Sequence, residues 1–507
     1  MISFLHSTAI CGIDACLIDV EIDISSGLPV FSIVGLPDTS VKEAKDRVIS
    51  AIKNSGFNFP TKKITVNLAP ADIKKEGSAF DLPIALGILA CNKIIEKEDL
   101  KNICVVGELS LDGKLRPVKG ILSMVLSLNK FGIKKIIVPE KNKNEACIVE
   151  GIDIFSFNNL KEVVKFLNKE LKVEPLKKCD MENNDNRNKT YADFSDIKGQ
   201  FFAKRAAEVA CAGGHNMIMI GPPGSGKTMI AKRIPTILPE MNFEEAVETT
   251  KIWSVSGLVK AGGGLIKNRP FRSPHHTTSS VALIGGGSYP KPGEVSLAHN
   301  GVLFLDELTE FKRDVLEVLR QPLEDKIVTV SRAKNTLTFP AYFMLVASMN
   351  PCPCGNYGSD KECTCTPYQI KKYRSKISGP LMDRIDIQVE VPSLKIEEIT
   401  ATNNIIYETS EQIKERVTKA RKIQYERFKN KNIYCNAQMG PKEIKKYCIL
   451  ENKAELTLKN AIEKLGFSAR AYDRILKVAR TIADLSYSEI ILSNHIAEAI
   501  KYRNFDK

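Results

Sequence analysis

The alternation of hydrophobic and polar positions divides the chain into three structured stretches and one polar break. Residues 1–172 mix strand-like and helical patterns, so we predict an α/β domain with its own core. Its clearest strand-like runs are 15–24, 63–68 and 134–139, and its clearest helical runs are 41–55 and 82–91. Residues 173–193 contain the polar, Asn-rich run KKCDMENNDNRNK and are predicted to be a linker.

The remaining chain first alternates strands with helices and then becomes helical. Apolar strand patterns occur at 218–220, 302–305, 343–348 and 387–391. Because helical patterns separate these runs, residues 194–395 are predicted to form a parallel sheet flanked by helices. Within 396–507 helical periodicity dominates, in the segments 411–428, 453–465, 471–485 and 494–502. The predicted fold class is therefore α/β, with a helical C-terminal domain.

Composition and charge narrow the class of protein. Hydrophobic residues make up 43% of the 507, a value typical of globular proteins, and no run approaches the roughly 20 apolar residues of a membrane helix. The N-terminus lacks the basic start of a signal peptide, so we expect a cytoplasmic protein with no membrane partner and mostly reduced cysteines. The net charge of +13 favours nucleic acid as a partner, although a lysine-rich proteome would give the same value.

Residues 221–228 read GPPGSGKT and fit the pattern GxxxxGK[ST] of a phosphate-binding loop. The run follows a predicted strand and opens a predicted helix, the context in which backbone N–H groups turn towards phosphates. Lys227 is expected to reach the β- and γ-phosphates of ATP, and the Thr228 hydroxyl to hold Mg²⁺. The residues expected to bind the nucleotide and its metal are Gly221, Pro222, Pro223, Gly224, Ser225, Gly226, Lys227, Thr228 and Asp306.

Polar side chains follow two other predicted strands. Asp306 and Glu307 come directly after the apolar run 302–305. Phosphoryl transfer needs a carboxylate near Mg²⁺ and a group that polarises the attacking water, and we assign these roles to Asp306 and Glu307 in that order. Asn350 follows the run 343–348 and is a candidate for orienting that water, with a turn asparagine before Pro351 as the alternative.

Two arginines stand at the ends of predicted elements. Arg384 precedes the strand 387–391, and Arg470 opens the helical run near 471. An arginine that projects from a subunit edge can complete the site of a neighbouring subunit, which is our interpretation of Arg384. Its alternative is a local ion pair with an adjacent aspartate. Arg470 is expected to fold back onto the γ-phosphate.

Residues 270–308, PFRSPHHTTSSVALIGGGSYPKPGEVSLAHNGVLFLDEL, resemble the magnesium-chelatase-like AAA+ ATPases. Together with SARAYDRILKVARTIADL, they make the chain similar to the ComM/YifB branch over essentially its whole length. The resemblance implies a ring, usually a hexamer, with ATP between subunits. It also implies that Arg384 is the trans arginine finger, Asn350 sensor 1 and Arg470 sensor 2, in an AAA+ core at 194–395 with a helical lid at 396–507.

The resemblance also implies a function. Members of the ComM type are DNA helicases that drive branch migration in natural transformation and homologous recombination. A protein-remodelling or chelatase-type ATPase is the alternative, although nothing in the chain supplies the partners that chelatase chemistry needs.

Two further elements of such motors point into the ring channel, and they correspond to an insert at about 273–292 and a β-hairpin at about 325–340. Arg332 and Lys334 near the hairpin tip are candidate DNA contacts, with an exposed turn as the alternative. His275 and His276 lie in the insert, where we favour a structural or DNA-contacting role over a metal site.

Residues 1–172 resemble the proteolytic domain of Lon, which has the ribosomal-S5-like fold. The run KKEGSAFDLPIALGILA keeps a serine at the nucleophile position, Ser78. Leu122 stands where Lon has its catalytic lysine, and a serine nucleophile needs an adjacent base. We therefore predict no protease activity, although Lys119, about one helical turn away, is a poor substitute base.

The run 352–365 contains two close pairs of cysteines, Cys352 with Cys354 and Cys363 with Cys365, which we call the cysteine cluster. Two such pairs around a Gly-containing loop can surround one Zn²⁺ ion. The CxC spacing is tighter than the usual CxxC, and four reduced loop thiols are the alternative. We expect structural zinc.

Overall fold

The computed structural model describes residues 2–176, 192–260, 262–287, 290–331, 336–393, 407–431 and 433–503. The chain forms two compact units. The first comprises Met1–Arg187 and Phe243–Ile266, and the second comprises Asn188–Asn242 and Lys267–Lys507. Both units contain sheets flanked by helices, which confirms the predicted α/β class. Across the described ranges, no helix has both the length and the apolar character needed to cross a bilayer.

The first unit is built on a seven-stranded mixed sheet with the strand order β3-β4-β2-β1-β5-β8-β9, and β6 and β7 form a separate ribbon. The strands are β1 Ile2–Cys11, β2 Asp14–Ser25, β3 Phe31–Val34, β4 Lys63–Ala69, β5 Ile103–Val105, β6 Glu108–Leu109, β7 Leu115–Arg116, β8 Lys135–Pro139 and β9 Asp153–Phe157. Along β2, buried Ile18, Val20 and Ile22 alternate with acidic residues, the period expected of a strand with one face in the core.

Helices cover this sheet, and one of them is buried on every side. Asp81–Cys91 has the continuous apolar sequence of a helix inside a core, and all its residues are buried. The helices of the first unit are Thr39–Lys42, Ala44–Asn54, Asp81–Cys91, Ile121–Phe131, Lys143–Ala146, Leu160–Leu167 and Phe243–Val255.

The segment 243–266 differs from the prediction, which placed it in the ATPase core. Its helix packs on Ile121–Phe131, and Lys251 Nζ lies 2.7 Å from Asp14 Oδ1. The N–H of Gly120 also donates to the Ser254 carbonyl oxygen at 3.1 Å. A helical pattern shows that a helix has an apolar face but not which unit covers that face, so the sequence could not reveal this placement.

The second unit contains a five-stranded parallel sheet with the strand order β11-β14-β17-β10-β18. Its strands, with those of two small antiparallel ribbons, are β10 Met217–Ile220, β11 Phe271–Arg272, β12 Gly285–Gly286, β13 Lys291–Pro292, β14 Val302–Leu305, β15 Ile327–Ser331, β16 Thr336–Pro340, β17 Met344–Met349 and β18 Ile387–Glu390. Because neighbouring strands run in the same direction, the segments after β10, β14 and β17 begin at one edge of the sheet, where ligands of open α/β sheets bind.

The C-terminal helices share a hydrophobic core with this sheet. Residues such as Ile475 and Ile496 belong to the same buried cluster as Ile230 and Val346, so the predicted lid and core fall in one compact unit. The helices are Phe201–Gly213, Lys227–Ile237, Ser280–Ile284, Glu294–Leu297, Arg313–Glu317, Arg320–Asp325, Pro367–Arg374, Gly379–Met382, Ser410–Arg427, Pro441–Tyr447, Asn452–Leu465, Ala469–Leu485 and Ser493–Lys501. The four-part division at 172, 193 and 395 stays a prediction.

Two of the predicted accessory elements lie in the second unit. The hairpin expected at 325–340 corresponds to β15 and β16, which pair antiparallel. Its tip, with Arg332 and Lys334, lies outside the described residues. The insert expected at 273–292 contains the short helix Ser280–Ile284 and the ribbon of β12 and β13.

Candidate functional site

The phosphate-binding loop follows β10 and leads directly into the helix Lys227–Ile237. Gly226, immediately before the helix, has a φ of 92°, a conformation that residues with a Cβ atom rarely adopt. Gly221 lies so close to Val391 that an added Cβ would sit 2.0 Å from that residue's carbonyl oxygen. Both positions therefore require glycine, and the loop has the strand-to-helix setting in which backbone N–H groups bind phosphate.

Lys227 lies over this loop with its side chain folded back. Its Nζ donates to the carbonyl oxygen of Gly221 at 2.6 Å and to Asn350 Oδ1 at 3.4 Å. Burial lowers the pKa of Lys227, and the carboxylates of Asp306 and Glu307 oppose this shift. A phosphate oxygen would replace the neutral carbonyl partner with a charged one, so the ammonium group is positioned for an anion.

The acidic pair follows β14 and meets the loop helix. Thr228 Oγ1 donates to Asp306 Oδ2 at 2.8 Å, and Ser348 Oγ donates to Asp306 Oδ1. Glu307 is the next residue, and its side chain is 58% exposed. A hydroxyl and a carboxylate are ligands that Mg²⁺ prefers, and here they are adjacent. The neighbouring Glu307 carboxylate is open to solvent and can accept a proton from water.

Asn350 reaches the same place from β17. The carbonyl oxygen of Met349, the last residue of β17, accepts a hydrogen bond from the Gly221 N–H at 3.2 Å. This pairing holds the strand end against the loop, which explains the contact of Asn350 with Lys227. The structure thus brings together the predicted residues Lys227, Thr228, Asp306, Glu307 and Asn350.

Sequence reasoning missed two neighbours of Glu307. Ser348 is fully buried, and its hydroxyl accepts the Glu307 N–H at 3.2 Å while donating to Asp306. His276 Nδ1 lies 3.8 Å from Glu307 Oε2, and its ring meets Phe311 edge to face. A serine at the end of an apolar strand was a usable signal for Ser348. No local signal existed for His276, because the contact depends on how its loop folds.

Arg384 and Arg470 lie together in a cavity of about 410 Å³ within the second unit. Arg384 donates to Glu324, and Arg470 Nη1 lies 3.5 Å from Asp383 Oδ2. In the described parts of the chain, no residue of the loop 221–228 lines this cavity. That Arg470 folds back onto the γ-phosphate stays a prediction. Packing of the helix Ala469–Leu485 decides the position of Arg470, and the local sequence does not show that packing.

The cysteine cluster is compact. Its four Sγ atoms lie within 4.8 Å of one another, and all four residues are free thiols. Four thiols this close together can ligate one metal ion, so the cluster provides a candidate metal site.

The Lon-like positions lie in the first unit. Ser78 is half-buried, and its hydroxyl donates to Glu108 Oε2. Leu122 is fully buried in the helix Ile121–Phe131. Lys119 is exposed and precedes that helix, so our description of it as one helical turn away from Leu122 is wrong. Its side chain instead packs against Gly257, where a Cβ atom added to the glycine would lie 2.7 Å from the Lys119 side chain.

Comparisons with known proteins agree with this arrangement. Residues 193–399 match the family Magnesium chelatase, subunit ChlI; residues 20–142 match Subunit ChlI of Mg-chelatase; and residues 407–503 match Magnesium chelatase, subunit ChlI C-terminal. The chain is 47% identical to the competence protein ComM of Haemophilus influenzae over 505 residues, which cover 99% of this chain and 97% of that protein. The chain belongs to the ComM/YifB family of magnesium-chelatase-like AAA+ ATPases. Membership implies that it hydrolyses ATP, with ATP and Mg²⁺ as the expected ligands.

Other relatives support the same family and fold. The YifB protein of Escherichia coli is 44% identical over 506 residues, which cover 100% of this chain and 98% of that protein. A Lon protease of Trichlorobacter lovleyi is 22% identical over 172 residues, 32% of this chain and 19% of that enzyme. The resemblance to the family and the fold with a Lon-like part are therefore confirmed.

Proposed function

We propose that this protein is a ring-forming, ATP-driven DNA motor in the cytoplasm, with helicase and branch-migration activity in natural transformation and homologous recombination. The observation that carries the proposal is the full-length similarity to a competence protein, since competence is a state of DNA uptake. The net charge of +13 supports it, because a polyanion such as DNA is attracted by a cationic surface.

In this proposal the site at the edge of the parallel sheet hydrolyses ATP. Lys227 binds the β- and γ-phosphates, Thr228 and Asp306 hold Mg²⁺, and Glu307 polarises the attacking water while Asn350 orients it. The metal, when bound, neutralises charge that develops on the phosphate oxygens. The support is the geometry: Thr228 and Asp306 are 2.8 Å apart, and Asn350 lies 3.4 Å from Lys227.

Arg384 acts in trans in this proposal, and Arg470 acts as sensor 2. The support for Arg384 is that it lines a cavity to which no described residue of the loop 221–228 contributes, as expected of an arginine that serves a neighbouring subunit. An arginine supplied by a neighbour accelerates phosphoryl transfer by about 10³- to 10⁵-fold in such enzymes. A closed ring, which we expect to be a hexamer, gives every site a neighbour and makes a monomer a poor ATPase.

DNA contacts are assigned to the elements that related motors direct into the ring channel. The hairpin of β15 and β16 would carry Arg332 and Lys334 at its tip, and the insert 273–292 would also face the channel. Backbone phosphates are the expected target, because their negative charge repeats along the strand whatever its sequence. The first unit serves assembly or DNA handling and does not cut protein, since buried Leu122 cannot act as a base for Ser78.

A comparison of the wild type with Glu307→Gln tests the proposal. We expect single-stranded DNA to stimulate wild-type ATP hydrolysis and the wild type to move branch points in a four-way DNA substrate. Glu307→Gln should still bind a fluorescent ATP analogue but should lose both activities, because the amide cannot polarise water. If the wild type is neither stimulated by DNA nor binds it in a salt-sensitive manner, the motor acts on a protein substrate instead.

A further inference from the structure

The sulfur atoms of the cysteine cluster have the spacing of ligands to a single ion. Zn²⁺ with Zn–S bonds of about 2.3 Å holds its four tetrahedral sulfurs about 3.8 Å apart. Cys352 Sγ lies 3.8 Å from Cys363 Sγ, and Cys354 Sγ lies 3.6 Å from Cys363 Sγ and 3.3 Å from Cys352 Sγ. The set of four, within 4.8 Å, leaves room for one ion at its centre and no larger cluster.

Backbone groups support the sulfurs as they do at metal sites. The Tyr357 N–H donates to Cys352 Sγ at 3.3 Å, and the Cys354 N–H donates to Cys365 Sγ at 3.4 Å. Such outer hydrogen bonds orient metal-bound thiolates and offset part of their negative charge. They form here because Gly355, with a φ of 82°, turns the chain between the two cysteine pairs.

We propose that the cysteine cluster binds one Zn²⁺ ion and that this ion holds Asn350 and the phosphate-binding loop in position for ATP hydrolysis. The second part of this inference rests on the proposed function of the ATP site. The first part does not, because the metal site is defined by the sulfur atoms alone.

Short connections link the cluster to the ATP site. Cys352 is fully buried and follows Asn350 with only Pro351 between them. Gly355 lies against the loop, since a Cβ added there would be 2.7 Å from Pro223 Cδ. A coordinate bond at Cys352 therefore fixes the backbone next to Asn350, and the turn at Gly355 packs directly on the loop.

A second contact fixes the segment from the other side. Arg374 Nε donates to the Pro351 carbonyl oxygen at 3.3 Å, and its guanidinium lies 5.6 Å from the centre of the Tyr357 ring. Arg374 belongs to the helix Pro367–Arg374, which begins directly after the last cysteine pair. Without the metal, the cysteines between Asn350 and this helix would no longer be joined through one ion, and the segment after Asn350 would keep only weaker contacts such as that of Arg374.

Metal analysis of the full-length protein, purified in reducing buffer, tests the site itself. We expect about one zinc per chain and negligible iron, because four thiolates complete one tetrahedral zinc ion. Cys354→Ser and Cys363→Ser should each lose most of the zinc, while Cys16→Ser, a half-buried cysteine of the first unit, should retain it. Zinc near zero in the wild type, iron in its place, or equal zinc in all variants would overturn the metal site.

ATPase measurements test the positioning role. Removal of zinc from the wild type with a chelator should lower kcat by about tenfold or more, since misplacement of catalytic groups by about 1 Å costs up to about 100-fold. Zinc added back should restore kcat, which separates loss of position from irreversible unfolding. An unchanged kcat after complete zinc removal would refute the positioning role.

The two proposals can fail separately. If the wild type binds zinc but hydrolyses no ATP under any condition, the proposed function fails while the metal site stands. Binding of a fluorescent ATP analogue then reports on the loop, because zinc removal should weaken the contact between Gly355 and Pro223. An affinity for the analogue that is the same with and without zinc would refute the link in that case.

Discussion

The Ser348 hydroxyl connects both acidic residues of the ATP site to the sheet. It donates to Asp306 Oδ1 and accepts the N–H of Glu307 at 3.2 Å, from a fully buried position in β17. Glu307 has a φ of 52°, which for a residue with a side chain costs about 1–3 kcal/mol that contacts with its surroundings must offset. Ser348→Ala removes one of the two acceptors of the Glu307 N–H and leaves the other, Asp306 Oδ1 at 3.2 Å.

The expected loss follows from these contacts. A hydrogen bond to a charged group contributes about 1.5–3 kcal/mol, and about 1.4 kcal/mol in the barrier corresponds to a tenfold change in rate. We therefore expect Ser348→Ala to lower kcat by about tenfold to a hundredfold. The KM for ATP should change much less, because Lys227 and the phosphate-binding loop keep their contacts.

Steady-state ATPase kinetics of the full chain test this expectation, with Ser296→Ala as the control. Ser296 is also fully buried in the second unit, and among the described residues its hydroxyl has no hydrogen-bond partner. Ser296→Ala also removes a buried serine hydroxyl, but it breaks no hydrogen bond of the described residues, so its kcat should equal that of the wild type. A folded Ser348→Ala protein with kcat within about twofold of wild type would refute the reasoning, since the loss would fall below about 0.4 kcal/mol.

Three further predictions address Arg384 and the first unit. Arg384→Ala and Lys227→Ala should each have almost no ATPase activity. If Arg384 acts on a neighbouring subunit, a mixture of the two variants should regain activity, whereas an inactive mixture would mean that Arg384 acts in its own subunit. Leu122→Ala should lower the free energy of unfolding, measured by urea titration, by about 2–5 kcal/mol. Lys130→Ala, at an exposed position of the same helix, should leave it unchanged. Equal unfolding midpoints for the two variants would contradict the burial of Leu122. Ser78→Ala should leave ATPase activity unchanged and casein uncut, as in the wild type; casein cleavage that Ser78→Ala abolishes would show an active protease.

The ATP site could be predicted in large part from the sequence because its parts are local. The loop 221–228 is continuous, and the apolar runs before Asp306 and Asn350 end at the residues that the site uses. Predicted strand 302–305 coincides with β14, and 343–348 is within one residue of β17 at each end. Parallel strands bring their carboxyl ends to one edge of a sheet, so knowledge of the strand class was enough to group these residues.

The elements of the first unit show the same dependence on local pattern. The run 63–68 corresponds to β4, and 82–91 corresponds to the helix Asp81–Cys91. Alternation with period two and continuous burial are both written in the order of residues. The order of residues does not show which strands pair with one another, and the strand order β3-β4-β2-β1-β5-β8-β9 is known only from the structure.

Contacts between distant segments were decided by tertiary structure alone. The sequence supplied a P-loop, an acidic strand end, two arginines and four clustered cysteines, since each depends on neighbouring residues. It did not show that Ser348 supports Glu307, that Arg470 shares a cavity with Arg384, or that 243–266 packs in the first unit. Each of these contacts depends on which buried surfaces pack against one another. That packing is determined by the shapes of all the side chains in the core, and a local sequence pattern does not contain this information.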